Sequence, residues 1–245
     1  MTRVHRFSVL VGTIAALGCA SSPRAADTPP AADAAPSQEV SQKVVGGGIM
    51  VAGWSGQIDA KETAAGQVLA NSKLDQMGNA LHVTTGPAVV YWNTAAKATG
   101  NYTVQATFTE PKFMALNDHP HPYGIAIGGN DMGTDKQSYL YCAAYGTGTF
   151  IVRGFGPASF QLNGRGTPHE SVHKATAKGE PVTNRIAITV KDDKVSCAIN
   201  GTTVAEYDKA AVVGEGKLKS TDGMYGMRFG HNTEAMVSGL TLTKQ

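Results

Sequence analysis

Charge is scarce in this sequence: Asp, Glu, Lys and Arg together make up 16% of 245 residues. Lys and Arg number 21 against 19 acids, a formal charge of +2. Arg3 and Arg6 lie in the first 18 residues, which hold no acid, so the remainder balances at 19 against 19. A neutral chain without a basic stripe is a poor match for phosphate backbones, which excludes nucleic acid as a partner. Long apolar runs are also missing, which excludes a polytopic membrane protein. No heptad pattern and no repeat of 20–50 residues is visible, so coiled coils and solenoids are excluded as well. Helical periodicity is sparse: Lys61 to Ala70 is one candidate for a short helix, weakened by Gly66.

The N-terminus reads as an address followed by a tether. Arg3 and Arg6 precede an apolar stretch, Phe7 to Leu17, too short to span a bilayer and of the right length for the core of a signal peptide. It ends in Ala16-Leu17-Gly18-Cys19, which resembles a bacterial lipobox with its Leu one place nearer the Cys than is usual. The resemblance implies a signal peptide over 1–18 and lipid on Cys19. With no Asp after the Cys, it implies an outer-membrane lipoprotein of the cell envelope, facing periplasm or exterior, that touches membrane only through its lipid. An ordinary signal peptide cut near Ala25-Ala26, leaving a periplasmic protein, is the alternative. Ala20 to Val40 holds seven Ala and four Pro and no aromatic. Such a segment buries too little apolar area to offset its ordering entropy. Residues 19–43 therefore read as a disordered tether, and 44–245 as the folded domain.

Only three cysteines occur. With Cys19 lipidated, Cys142 and Cys197 remain, and an oxidising compartment permits a disulfide between them. Two separate buried thiols are the alternative. Both sit in segments that alternate with period 2. Asn101 to Phe108 places Tyr102, Val104, Ala106 and Phe108 on one side and polar residues on the other, the pattern of a half-buried antiparallel strand. Ser138 to Tyr145 and Thr149 to Phe155 flank the Gly-rich loop Gly146-Thr147-Gly148. Arg185 to Val190 and Lys194 to Ile199 flank Asp192-Asp193. Asn200-Gly201, between two alternations, is the strongest hairpin signal, since both residues take positive φ cheaply. Ten to twelve strands on about 200 residues exceed one open sheet, which predicts an all-β, two-sheet antiparallel sandwich.

A first strand near Trp54, the pair "RIAITVKDDKVSCAINGTTVAEY" and a last strand "AMVSGLTLTK" resemble the concanavalin A-like lectin/glucanase superfamily of jelly-roll sandwiches. Within it, the chain is most similar to laminin-G-type and 3-keto-disaccharide hydrolase-like domains of exported bacterial lipoproteins. The resemblance implies a carbohydrate ligand. Glucanases of this fold carry paired acids along one strand as Glu-x-Asp-x-x-Glu or Glu-x-Asp-x-Glu, placing two carboxylates on one face for glycosidic cleavage. This chain has neither pattern. Its acids cluster in turns instead, Asp192-Asp193 and Asp131 with Asp135. The hydrolase-like families also show Asn-Ser-Gly-Ile where this chain has Pro122-Tyr123-Gly124-Ile125.

The densest polar cluster is Asn117-Asp118-His119-Pro120-His121-Pro122-Tyr123. Its prolines enforce extension and assign it to a loop or sheet edge. Two His at spacing 2 with Asp118 beside them could hold a metal. The preferred reading is a rigid loop whose imidazoles bond to carbonyls, so no metal and no cofactor is expected. Asn130 to Asp135 reads as a plain turn, with Gly133 misplaced for a calcium loop. Tyr139 and Tyr141 face away from Leu140 and Cys142, where a sugar ring could stack on them. Arg153 on the next strand offers a planar donor fork. Trp92 is the more exposed ring of Tyr91-Trp92 if Val90 faces outward. Asn163, Arg165, His231 and Asn232 sit beside glycines in loops. Three expectations follow. In the first, a non-catalytic glycan binder uses Asn117, His121, Tyr139, Tyr141, Arg153 and His231. The second is a glycoside hydrolase on a modified (3-keto) disaccharide, with Asp118, His119 or His121 as acid and base. The third is an envelope structural or protein-interaction module.

Overall fold

The computed structural model describes residues 40–245. The expected signal peptide, Cys19 and the tether up to residue 39 lie outside the described residues. The first sheet runs, edge to edge, Gly48–Ile49 (β1), Lys73–Met77 (β3), Ala80–Thr84 (β4), Glu234–Lys244 (β16), Tyr102–Glu110 (β6), Val182–Lys191 (β12), Lys194–Ile199 (β13) and Thr202–Asp208 (β14). The second runs Ser159–Gln161 (β10), Thr149–Phe155 (β9), Ser138–Tyr145 (β8), Pro122–Asn130 (β7), Gly223–Phe229 (β15), Val89–Ala98 (β5) and Trp54–Ile58 (β2), with Thr167–Pro168 (β11) also on β9. All pairings are antiparallel except that of the two-residue β1 with β3. The extra strands beyond the expected ten to twelve are mostly two- and three-residue pieces at the edges.

The period-2 reading of residues 101–108 holds. Tyr102, Val104, Ala106 and Phe108 are buried against the second sheet, and Thr103, Gln105 and Thr107 are half-exposed. The Phe108 ring stacks on Tyr123 of β7 at 5.8 Å and meets Phe229 of β15 edge-on at 6.1 Å. Asn200 and Gly201 take φ of 52° and 87°, the backbone of a two-residue hairpin turn. The helical segment is shorter than the sequence pattern: Ala60–Ala64 (α1), ended by Gly66 at φ 79°, and a 3₁₀ turn at Leu69–Asn71. A second helix, Lys209–Val212 (α2), carries no sequence signal that would have announced it.

The second sheet departs from the half-buried pattern. Every residue of β8 is buried, on both faces. Leu140, Cys142 and Ala144 join the main core, while Tyr139, Tyr141, Ala143 and Tyr145 join a second apolar layer with Val90, Trp92, Ala126 and Ile151. Trp92 does face outward with Val90, as the strand parity allowed, yet it is buried in this layer. The tether also ends earlier than expected. Ser41 is buried and its hydroxyl donates to Glu62 Oε2 at 2.7 Å, while the Gln42 amide donates to Asn232 Oδ1 at 2.8 Å. Polar pairing fixes these residues, and hydrophobicity gave no sign of it.

Cys142 on β8 and Cys197 on β13 form a disulfide, with Cα atoms 6.1 Å apart, that ties one sheet to the other. Strand parity turns both side chains into the space between the sheets. Two acids are buried among the described residues, Glu62 and Glu110. Glu110 ends β6 on its core face, where Oε1 accepts the Met114 amide at 3.0 Å and Oε2 is buried without a partner. Burial raises its pKa to about 7, against an opposing contribution from the Met114 hydrogen bond.

Two outcomes are expected. The bridge closes a loop of 55 residues, so Cys142→Ser with Cys197→Ser should cost about 4 kcal/mol of unfolding free energy on the chain-entropy estimate. Denaturant melts of oxidised and substituted protein measure it. Glu110 keeps its proton in the folded chain up to about pH 7 but gives it up near 4.5 when unfolded. Its contribution to stability is therefore intact below pH 4.5 and declines as pH rises to about 7. Glu110→Gln should gain up to roughly 3 kcal/mol on wild type between pH 4 and pH 8, read from melts at both ends.

Candidate functional site

The outward face of the second sheet is built from two cross-strand rows. One runs Trp92, Gly226, Ala126, Tyr141 and Arg153, each opposite the next on the neighbouring strand. Between the Trp92 and Tyr141 rings this row carries nothing larger than a methyl group, a shallow trough whose floor is buried, with Ala126 3% exposed, against Met132, Phe155 and Met224. The adjacent row runs Gln57, Val90, Arg228, Gly124, Ala143 and Ile151. Arg228 stands between Met227 and Phe229, both core residues, so the strand period turns it outward into this trough.

Arg228 is only 5% exposed. Its Nη2 donates to Asp59 Oδ2 at 2.6 Å, and its Cζ lies 5.8 Å from the Tyr141 ring centre and 5.4 Å from that of Phe155. Burial works against the charge, yet the Asp59 carboxylate and the nearby tyrosines together hold its pKa above the ordinary value. Arg228 Nη1 is buried with no hydrogen-bond partner among the described residues, and so is Gln57 Oε1 in the same row. Leaving a buried donor or acceptor unpaired costs on the order of 1–3 kcal/mol. The rim of the trough, Gln57, Arg153, Phe155 and Met224, is half-exposed.

The tyrosines expected to stack on a sugar need correction. Tyr139 and Tyr141 are 1% and 4% exposed. Tyr139 packs on Phe155 at 5.1 Å, and Tyr141 stacks on the same ring at 6.2 Å. They form a buried aromatic base beneath Arg228 and offer no open ring face. Arg153 does reach the site, with its Cζ 5.0 Å from the Phe155 ring centre. The loop from Asp131 to Gln137 lies against Trp92, with a Cβ at Gly133 coming to 3.7 Å from its ring.

One end of this face carries the histidines. The 111–121 connection delivers His119 and His121, and the turn between β15 and β16 delivers His231. Their ring centres are 4.4 Å (His119 to His121), 3.9 Å (His121 to His231) and 5.8 Å (His119 to His231) apart. Proline accounts for the approach. Pro122 opens β7, a central strand and not an edge, where its carbonyl accepts the Gly230 amide at 2.7 Å. Gly230 must lack a side chain, because a Cβ there would lie 2.8 Å from His121 Cβ. Burial chiefly, then the neighbouring His231 and His119, lowers the His121 pKa to about 3.

Asn117 is buried within the loop. Its Nδ2 donates to the Asn232 carbonyl at 2.8 Å. It braces the 111–121 connection against the 230–233 turn, and that is a scaffold role. Asp118 contacts His119 Nδ1 in an exposed pair. Asn163 accepts the Val152 amide at 2.6 Å and donates to Thr167 at 3.0 Å, which is turn chemistry. Asp118, the one carboxylate expected of a hydrolase, pairs with His119 beside His121. An imidazole neutral down to about pH 3 is a poor proton carrier near neutrality. On the opposite sheet's outer face, His82 bonds Asp75 and Glu234 at 3.0 Å each, so both its nitrogens are engaged. Sequence reasoning missed Arg228, Gln57 and Asp59. Period 2 would have turned Arg228 outward, but nothing local said that it is buried.

No family model and no curated protein matches the chain. Among solved structures, it is similar to the carbohydrate-binding module CBM66 from Bacillus subtilis, with a TM-score of 0.51 at 10% identity, covering 81% of this chain and 99% of that one. It is also similar to a Bacillus subtilis protein of unknown function with a galectin-like fold, with a TM-score of 0.51 at 13% identity, covering 78% of this chain and 89% of the other. Two antiparallel sheets in this order, with these neighbours, are the fold of the concanavalin A-like jelly-roll sandwiches.

Proposed function

We propose that this is an exported, lipid-anchored protein that binds carbohydrate without cleaving it, in the trough on the outward face of the second sheet. The observation that carries the reading is Arg228. Its Nη1 and Gln57 Oε1, both without a partner among the described residues, lie in one row on a largely apolar face. A sugar hydroxyl donates and accepts, so a polyhydroxylated ring at the half-exposed rim would satisfy both groups. An added carboxylate on the sugar would match the Arg228 and Arg153 guanidinium groups. Carbohydrate binding in the CBM66 neighbour supports the choice of ligand class. The disulfide between the sheets supports an oxidising compartment, in keeping with the signal peptide and Cys19 lipidation read from the sequence. A purely structural module gives no reason for a buried cation with an unused donor.

A panel of neutral and acidic oligosaccharides, titrated calorimetrically with product analysis on the same samples, tests this reading. Saturable binding without release of sugar is expected. Arg228→Lys keeps the charge beside Asp59 but loses the planar fork, and should weaken binding about 10-fold or more with little change in melting temperature. Arg228→Ala is the poorer variant, since it strands a half-buried Asp59. Absence of any glycan bound tighter than ~1 mM would sink the proposal. Turnover of a 3-keto disaccharide would replace it with the hydrolase reading.

A further inference from the structure

We propose that His119, His121 and His231 form a binding site for a divalent transition-metal ion such as zinc. One ligand nitrogen from each ring lies within 4.8 Å of the other two. A tetrahedral ion with bonds of ~2.1 Å needs nitrogens about 3.4 Å apart, within reach of small side-chain rotations. Three imidazoles suit zinc, nickel or copper and not the oxygen-seeking calcium or magnesium.

The surroundings of each ring point the same way. His119 Nδ1 is engaged by the Asp118 carboxylate, which favours the proton on Nδ1. His231 Nδ1 lies 3.3 Å from Ser41 Oγ, and that hydroxyl donates to Glu62 Oε2 at 2.7 Å. The proton on His231 Nδ1 therefore donates into a chain ending on a carboxylate. His121 Nε2 is buried and has no hydrogen-bond partner among the described residues. A carboxylate behind a histidine is the usual support of a metal ligand, fixing the ring and raising its basicity. Gly230 supplies the space, since any side chain there would strike His121.

The ion would join two segments that are far apart in the chain, the 111–121 connection and the 230–233 turn. The His119 side chain is 46% exposed, so the cluster is reached from solvent on that side. The site does not depend on the glycan reading.

The test uses untagged protein stripped with chelator and titrated calorimetrically with zinc chloride, nickel chloride and, separately, calcium and magnesium chloride. One zinc or nickel ion per chain at micromolar affinity or tighter is expected, together with a raised melting temperature and no response to calcium or magnesium. Cobalt(II) should give a visible d–d spectrum. His231→Ala and His119→Gln should each abolish one-to-one binding, and Asp118→Asn should weaken it about 10–100-fold. His119 is exposed, so its replacement leaves the fold intact, and melts of the stripped variants confirm this. Absence of saturable one-to-one binding, or binding unchanged in His231→Ala and His119→Gln, would overturn the proposal.

Discussion

The burial of one side of β6 against the second sheet is the constraint on which everything else rests. Tyr102, Val104, Ala106 and Phe108 can leave water together only if the strand keeps its register, because a slip of one residue would turn all four to solvent. Phe108 meets Tyr123 of β7 and Phe229 of β15 across the interface. That contact fixes the parity of both partner strands. Once Phe229 and Met227 face inward, Arg228 has to face out. Once Tyr123 faces inward, Gly124 opens a place for it.

The second sheet is unusual in being apolar on both sides. Its outer layer would be a liability as a bare surface, and a cation placed within it is costly unless paired. Asp59, delivered from the end of β2, supplies the pairing through one guanidinium nitrogen. The unused nitrogen is what gives this face its chemical character. Buried polar atoms without partners are rare in native proteins, and they concentrate where a ligand completes them.

The histidine cluster follows from a different economy of the chain. Short turns on a rigid sandwich bring side chains from remote sequence positions together at low entropic cost, because the strands beneath already fix their ends. His121 and His231 are 110 positions apart, yet the adjacency of β7 and β15 makes them neighbours. Asn117, Asn232, Gln42 and Ser41 hold the surrounding segments with hydrogen bonds to backbone and side chain.

The alternation of residues 101–108, the Asn200-Gly201 turn and the return strand at the C-terminus were enough to read an all-β sandwich, since strand period and turn chemistry are local properties. The inward and outward assignment along Ser138 to Tyr145 was legible for the same reason. Whether Tyr139 and Tyr141 meet water was not legible, because that depends on what lies across the trough from them. Nor was the role of Asn117 as a brace, since its partner is 115 residues away. The sequence by itself determined which side chains share a face. Tertiary structure alone decided which faces meet, and with that the Cys142–Cys197 bridge, the unpaired nitrogen of Arg228 and the meeting of His231 with His119 and His121. The physical reason is that side-chain direction repeats every two residues along a strand, whereas the order of strands in a sheet is set by packing between segments the chain keeps far apart.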